Sequence, residues 1–379
     1  MATSKLNPFP TTGYMGREYF CDREEELSSL RKFVENGMNT TLISLRRLGK
    51  SALIHRLFDD LNVDKSFYCI YMDIYASQSI KEFTESLSQA ILQQIPEQKS
   101  IGKRFLDLLK GFHPILSYDA LTGQPEISFE FTEQKSAEKT LAAIFQFLET
   151  QDRRILIAID EFQQIANYPE TNTEALLRSY IQQLKNVRFI FSGSNKHMMS
   201  ELFNSAKRPF FSSTQMMPLA AIPNNFYATF IKNKFTEANR EISDEAIHFL
   251  LTWTRTHTYY TQTLCNHLYA SSLKRIQEED VRNICSDLLS SQQATYIQYR
   301  RLLSPVQWQL LIAIAKEERV FQPQSKAFLA KYKIGTPANS KRALEALLDK
   351  EMIFQEEDLR NSWYQVYDVF LSRWLERTF

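Results

Sequence analysis

The chain lacks the features of secreted, membrane-spanning and metal-binding proteins. Its 4 cysteines are widely spaced without a CxxC pair, and its 6 histidines show no metal-ligand spacing. The longest apolar runs, such as ILIAI at 155–159, have the length of a strand and fall far short of a membrane span. Segment 1–16 has no apolar run behind its charge, so we expect no secretory signal. These absences predict a cytoplasmic protein with free thiols and no membrane contact.

A charge excess of one sign, long linkers and internal repeats are also missing. The formal net charge is +1, which excludes a basic surface over the whole protein for nucleic acid or anionic lipid. The 12 prolines and 9 glycines are scattered, so no flexible linker is visible. A length of 379 residues exceeds what one core usually holds and predicts two or three domains. Any contact with nucleic acid would therefore come from a local patch.

The first 220 residues alternate between strand-like and helix-like segments. We predict strands near 40–45, 66–75, 153–161, 186–195 and 214–219. This alternation favours an α/β fold in which helices cover both faces of a parallel sheet. Within segment 111–131 a GQP turn precedes the alternating ISFEF, which predicts a small hairpin or an irregular insertion.

A helix is predicted just before the first strand, in CDREEELSSLRKFVENG. Asp22 is placed as its N-cap, and Glu25 stands three residues later as the partner of a capping box. Gly37 stands where such a helix would stop.

After Pro223 the pattern becomes helical throughout. Four consecutive helical segments without a strand candidate fill 223–302, which predicts an all-α domain. Residues 303–379 form a separate pattern of three short helices followed by a two-stranded hairpin. This is the order of a winged helix. The predicted domains are therefore 1–222, 223–302 and 303–379.

The segment TTLISLRRLGKSALIHRLF reads as a strand, a tight loop and a helix. The phosphate-loop pattern requires Gly, four residues and Gly-Lys-Ser/Thr; Gly49-Lys50-Ser51 is present, but Ser44 stands at the first glycine. In such a loop the backbone N–H groups face the phosphates, Lys50 reaches the β- and γ-phosphates, and Ser51 ligates magnesium. The nucleotide-binding residues predicted here are Ser44, Leu45, Arg46, Arg47, Leu48, Gly49, Lys50, Ser51 and Ala52.

Ser44 weakens the match to the motif more than it weakens the chemistry. If the backbone at this position needs a positive φ, a serine costs about 1–2 kcal/mol. The phosphate contacts come mainly from residues nearer Gly49, which is present. Arg46 and Arg47 add positive charge, and each can serve the nucleotide or cap the sheet edge through a carboxylate.

Polar side chains end two further strands. ILIAIDE supplies Asp160 to hold Mg²⁺, directly or through water, and Glu161 to orient an attacking water. Packing seldom explains two acids at the end of a buried strand, because an unpaired buried charge is costly. The next strand ends in SGSN, so Ser194 and Asn195 lie at the same sheet edge, where ligands bind in open α/β sheets. Either can sense the γ-phosphate or cap the following helix.

FCDREEEL, LRRLGKS, ILIAIDEFQQI and FIFSGSN, in this order, resemble the STAND/AAA+ group of bacterial and archaeal ATPases. The tail SPVQWQLLIAIAKEE … SKRALEALLDKEMI … YQVYDVFLSRWL resembles the C-terminal winged helix of the same group. The resemblance implies a P-loop ATPase core, a helical lid and a winged helix, with ATP or ADP and Mg²⁺ bound between core and lid. It places Ser194 or Asn195 as first sensor, and Asp22 and Arg23 at the edge of the adenine.

Two positions depart from the pattern of that group. The group often has an arginine that meets the γ-phosphate, whereas the comparable stretch PFFSSTQMM has no arginine after Pro209. The lid of the group usually carries Gly-x-Pro before a Tyr-Tyr helix, and this chain has Thr256-His257-Thr258. His257 can reach a phosphate, cap a helix or pack.

The winged helix has two candidate roles: it binds DNA, or it packs on the lid or docks a protein partner. Lys341 and Arg342 begin the helix that would enter a major groove. Residues 304–379 hold 11 Lys/Arg against 10 Asp/Glu, and the hairpin tip EEDLRN is acidic. Neutralising DNA phosphates needs concentrated positive charge, so these charges argue against DNA binding.

Taken with the phosphate loop and the acid pair, the sequence predicts an ATP-dependent switch with slow hydrolysis and nucleotide-dependent homo-oligomers. The alternative is a DNA-binding regulator in which nucleotide is an allosteric ligand.

Overall fold

The computed structural model describes residues 6–95, 100–118, 125–130, 134–358 and 360–379. Over these residues the chain divides into two compact units, Thr12–Ile222 and Pro223–Phe379, the latter together with the N-terminal residues up to Thr11. None of the described helices is long and apolar enough to cross a membrane.

The unit Thr12–Ile222 alternates helices and strands. In chain order its elements are α1 (Glu24–Glu35), β1 (Thr40–Ile43), α2 (Lys50–Val63), β2 (Phe67–Asp73), α3 (Ile80–Gln94), α4 (Ser100–Lys110), β3 (Pro114–Tyr118), β4 (Pro125–Phe129), α5 (Gln134–Glu149), β5 (Arg154–Asp160), α6 (Thr173–Ile181), β6 (Val187–Gly193), α7 (Lys196–Asn204) and β7 (Gln215–Pro218), with 3-10 turns at Arg17–Tyr19 and Phe162–Asn167. The five strands predicted for the core are confirmed as β1, β2, β5, β6 and β7, each at most two residues shorter at either end.

These five strands form a parallel sheet, with the order β2-β5-β6-β1-β7 in the described part of the chain. Ile43 aligns with Gly193, and Asp73 aligns with Asp160. Because all strands run the same way, the loop after β1, the two acids at the end of β5 and the polar residues after β6 meet at one edge.

Both faces of the sheet are covered, as the continuous apolar strand patterns predict. Leu156 and Ala158 of β5 pack with the apolar faces of α1 and α2. The alternate residues Ile155, Ile157 and Ile159 pack with α3, α5, α6 and α7 on the other face. At roughly 1.5–3 kcal/mol for each fully buried large apolar side chain, this double burial holds the site edge in place.

The prediction that Asp22 caps α1 is wrong. The residue at the helix start is Arg23, which makes no side-chain cap, and Asp22 and Arg23 are both left-handed, with φ of 54° and 73°. An N-cap side chain normally reaches the first turn from extended backbone, which neither residue adopts. The predicted stop at Gly37 is confirmed: its φ is 79°, and the next N–H donates to the Phe33 carbonyl at 2.9 Å.

The hairpin predicted within 111–131 is confirmed as the antiparallel pair β3–β4. The Phe129 N–H donates to the Glu85 carboxylate of α3 at 2.8 Å, and Ile127 and Phe129 are buried in the core. The turn that was predicted to join the two strands lies partly outside the described residues.

The second unit is mostly helical. Its elements are α8 (Asn224–Thr236), β8 (Glu241–Ile242), α9 (Asp244–Trp253), α10 (Thr258–Ala270), β9 (Arg275–Ile276), α11 (Glu278–Leu302), α12 (Pro305–Glu317), α13 (Lys326–Tyr332), α14 (Pro337–Asp349), β10 (Ile353–Glu357), β11 (Ser362–Val366) and α15 (Val369–Thr378). The prediction of an all-α segment at 223–302 is wrong at one point, because β8 and β9 form a parallel pair. Two residues are too few to show a strand period. The winged-helix order is confirmed by α12–α14 and the antiparallel β10–β11.

A charged cluster ties α15 to the end of α9. Arg373 donates to Glu318 at 2.6 Å, to Glu376 at 2.8 Å and to the carbonyl of Trp253 at 3.0 Å. Arg255 donates to Glu376 at 3.3 Å from the turn after α9. The winged helix is thus joined to the helical segment before it by bonds between groups distant in sequence.

We expect Arg373→Ala to lower the thermal unfolding midpoint by roughly 2–8 °C. The loss of these charged hydrogen bonds is worth about 1–2 kcal/mol at a partly exposed site, and each kcal/mol moves the midpoint by roughly 2–4 °C in a unit of this size. Arg377→Ala is the matched control, because Arg377 is exposed one turn further along α15 and donates to a single hydroxyl, that of Ser286. Differential scanning fluorimetry measures the unfolding midpoints of the two variants and the wild type. Equal midpoints for Arg373→Ala and the wild type would show that the cluster contributes nothing to stability.

Candidate nucleotide site

The loop between β1 and α2 turns at two left-handed residues. These are Arg47, with φ of 61°, and Gly49, with φ of 100°. A Cβ at Gly49 would meet nothing within 4 Å, so the backbone angle and not the space favours glycine there. Ser44 lies outside the left-handed region, and the strain that a serine would bring does not arise.

The side chain of Lys50 is buried among oxygen atoms of its own loop. Its ammonium donates to the Ser44 hydroxyl at 3.2 Å and to the carbonyls of Ser44 and Leu45 at 3.3 and 3.2 Å. Burial lowers the pKa of Lys50, and the charges of Asp160 and Glu161 oppose that effect. Ser44 therefore supplies an acceptor to the lysine that a glycine could not offer.

Ser51, the second residue of α2, joins the loop to β5. Its hydroxyl donates to Asp160 Oδ2 at 2.6 Å, and the Tyr71 hydroxyl of β2 donates to the same oxygen at 2.6 Å. Burial acts to raise the pKa of Asp160, but the hydrogen bonds from Ser51 and Tyr71 outweigh it, and the pKa lies below its usual value. A hydroxyl and an ionised carboxylate this close are the oxygen ligands that magnesium prefers, so the residues fit Mg²⁺.

Glu161 is held by its neighbours. Its backbone is left-handed, with φ of 54°, and its Oε2 accepts from Ser194 Oγ at 2.7 Å and from the Gln163 amide. Arg46 of the loop donates to the same Ser194 hydroxyl at 3.2 Å. A chain of hydrogen bonds therefore runs from the loop after β1, through the end of β6, to the acid after β5.

The two polar residues after β6 lie in different surroundings. Ser194 contacts Glu161 and Arg46, as described above, whereas the Asn195 side chain accepts the N–H of Met198 at 3.0 Å. The helix-capping alternative is therefore confirmed for Asn195, which begins α7. The γ-phosphate sensor role stays a prediction for both residues.

Arg23 ties the loop to the surrounding structure. It is buried, pairs with Glu26 at 2.6 Å, and donates to the carbonyls of Leu48 and Ala220 at 3.4 and 2.7 Å. Asp22 beside it is half-buried. The predicted position of Asp22 and Arg23 at the adenine stays a prediction.

His257 lies in the other unit, at the start of α10. Its side chain makes no cap hydrogen bond, and its ring packs 4.8 Å from that of Tyr260. Of the three roles considered, packing is confirmed, and His257 occupies the N-cap position of α10 without a side-chain cap bond. Phosphate contact stays a prediction.

Sequence reasoning missed Tyr71 and Gln163, although both contact a predicted site acid. The signal for Tyr71 is weak: a tyrosine in the strand next to the acid strand, whose partner only the sheet order reveals. Gln163 follows Glu161 by two residues, a spacing at which side chains meet only if the chain turns sharply.

Comparisons with known proteins agree with this architecture. A family model described as an ATPase domain predominantly from Archaea matches residues 20–256, and one described as a probable winged helix domain matches residues 294–377. A comparison with curated proteins found no match.

Solved structures with similar folds cover nearly the whole chain. A Walker-type ATPase of Pyrococcus abyssi is 19% identical with a TM-score of 0.66, covering 97% of this chain and 99% of that chain. The ORC2 protein of Aeropyrum pernix, in ADPNP–ADP complexes, is 12% identical with a TM-score of 0.58, covering 99% and 96%. Drosophila ORC bound to DNA is 12% identical with a TM-score of 0.51, covering 98% and 91%. At these identities the likeness shows the fold.

Proposed function

Because the chain belongs to the family of ATPase domains found predominantly in Archaea, we propose that it binds ATP with Mg²⁺ at the loop 44–52 and hydrolyses it slowly, as a nucleotide-dependent switch. The observation that carries the proposal is the single sheet edge at which Lys50, Ser51, Asp160 and Glu161 converge. Membership of the STAND subgroup, closure of segment 223–302 over the nucleotide and nucleotide-dependent oligomers belong to this proposal through the resemblance alone.

Each residue has a role that its contacts suit. Lys50 exchanges the carbonyls of its own loop for phosphate oxygens, and the N–H groups at the start of α2 add a favourable dipole. Ser51 and Asp160 would hold Mg²⁺, which neutralises the phosphate charge when bound. Glu161 orients the attacking water and takes its proton.

Two observations support slow turnover. The stretch after Pro209 has no arginine, and Arg208 before it is engaged by Glu174 at 2.9 Å and by Glu201 at 3.1 Å. A supplied arginine is worth about 10³–10⁵-fold in comparable phosphoryl transfers. Hydrolysis by this chain alone therefore relies on the lysine, the metal and the base.

Phosphate release from ATP in Mg²⁺ and in EDTA tests the proposal, with the molecular mass followed by light scattering with and without ATP. We expect slow release that requires Mg²⁺, because Ser51 and Asp160 can position the phosphates only through the metal. Equal release in EDTA, or none in Mg²⁺, would contradict the ATPase proposal; an unchanged mass would remove the oligomer part alone.

A DNA-binding regulator is the second candidate. Lys341 and Arg342 are exposed near the start of α14, the second helix of the pair α13–α14, and the similar Drosophila ORC structure is described as bound to DNA. Against it, Glu357 and Asp358 are exposed at the hairpin.

Electrophoretic shifts of genomic fragments, with and without ATP, separate the two candidates. If α14 reads DNA, Lys341→Glu with Arg342→Glu should abolish the shift, because two phosphate or base contacts become repulsive. Lys350→Glu is the control, since Lys350 is exposed at the opposite end of the same helix. No shift by the unaltered protein, in either condition, would remove this candidate.

A further inference from the structure

We propose that Gln163 is a positioning residue that holds the Glu161 carboxylate for its work on water, and that residue 193 is a glycine in order to make room for it. This inference rests on the proposed ATPase function. It assigns a role to Gln163 and Gly193, two residues to which the sequence motifs gave none.

Gln163 is brought to Glu161 by the backbone. The chain leaves β5 through the left-handed Glu161 and enters the 3-10 turn Phe162–Asn167 at once, so that side chains two residues apart face each other. The Gln163 amide nitrogen donates to Glu161 Oε2, and the Gln163 residue is only 6% exposed. Glu161 pairs the amide nitrogen, whereas the buried amide oxygen, Oε1, has no hydrogen-bond partner among the described residues. An unpaired buried oxygen is costly, so the bond to Glu161 is what the placement gains in return.

Gly193 is the last residue of β6, the strand next to β5. A Cβ at this position would lie 2.5 Å from Gln163 Oε1 and 2.5 Å from Met199 Sδ. Its backbone is outside the left-handed region, so space and not conformation requires glycine here. The Gln163 amide and the Met199 side chain together occupy the place that a Cβ at residue 193 would fill.

Both donors to Glu161 reach one oxygen. Ser194, which follows Gly193, donates to Oε2 at 2.7 Å, and Gln163 donates to the same atom. Oε1 accepts a hydrogen bond from no residue in the described part of the chain. Two donors on Oε2 fix the carboxylate plane and keep Oε1 available to a water, which is the preorganisation that proton abstraction needs.

The variant Gln163→Met tests the role, because methionine keeps the length and approximate volume of glutamine and loses the donor. We expect kcat for ATP hydrolysis to fall by about 10–100-fold with KM for ATP within about twofold, since a misplaced base loses rate and not binding. Gln164→Met is the matched control: Gln164 is the next residue, and its amide donates to the Tyr75 carbonyl at 3.0 Å. It should leave kcat unchanged.

A double-mutant cycle separates positioning from mere support of the fold. If Gln163 acts through Glu161, Gln163→Met should change kcat by less than about twofold in the Glu161→Gln background. An equal loss in both backgrounds, or an unchanged kcat in the wild-type background, would overturn the positioning role while leaving the ATPase proposal intact. Absence of turnover in the wild type would overturn the ATPase proposal, and with it this inference. Gln163→Ala, which also lacks the donor, gives the same test should the methionine variant fail to fold.

Discussion

The variant Lys50→Ala should lose ATP binding by about 100-fold or more, because each charged hydrogen bond to a phosphate is worth about 1.5–3 kcal/mol and the ammonium can make at least two. Lys50 is the cation at the centre of the loop, with its ammonium within 3.3 Å of three loop oxygens. Fluorescence titration with a labelled ATP analogue measures the affinity. An affinity equal to that of the wild type would show that nucleotide does not bind at this loop.

The same variant should still fold. Burial lowers the pKa of Lys50, which means that the folded state disfavours its charged form relative to the unfolded chain, where the group is fully hydrated. Removal of the charge at pH 7 removes this unfavourable contribution, but it also leaves the carbonyls of Ser44 and Leu45 without this donor. Because the two effects oppose each other, we expect the unfolding midpoint to change little. Lys65→Ala is the matched control, because Lys65 is exposed just beyond the far end of α2 and should affect neither property.

The second large effect is expected for Glu161→Gln, which should keep ATP affinity and lose turnover by about 10²–10⁴-fold. Glutamine has the same shape, and its amide oxygen can still accept from Ser194 and Gln163, so the site remains assembled. What is lost is the negative charge that takes a proton from water.

Steady-state phosphate release and a parallel binding titration measure the two properties separately. Glu35→Gln is the control, since Glu35 is an exposed carboxylate paired with Arg31 at the end of α1. Turnover equal to the wild type would remove Glu161 from the mechanism. A joint loss of turnover and affinity would make it a binding residue.

The parts of the fold that the sequence predicted are those fixed by burial and local turns. The strand ILIAI is apolar on both faces because helices cover both faces, and Gly37 ends a helix because its left-handed angle is local. Asp22 does not cap α1 because Arg23, beside it, is also left-handed and donates hydrogen bonds to the carbonyls of Leu48 and Ala220. Only the folded chain brings these two carbonyls near Arg23.

The sequence predicted which residues form the site, but not which of their contacts join residues distant in the chain. The loop and the acid pair follow from motifs and strand ends, whereas Tyr71 is a neighbour of Asp160 only through the pairing of β2 with β5. The departure at Ser44 was visible, but its contact with the Lys50 ammonium was not. Gln163 depends on the left-handed backbone of Glu161, for which no residue type in DEFQQ is a signal.

The nucleotide that stays on the protein after ATP and Mg²⁺ are added, and free nucleotide is removed by rapid gel filtration, tests the central claim most directly. We expect the wild type to carry mainly ADP, Glu161→Gln to carry intact ATP, and Lys50→Ala to carry none. This pattern would follow if the loop after β1 binds the nucleotide and the acid after β5 drives its hydrolysis. The same nucleotide content in all three proteins would contradict that account.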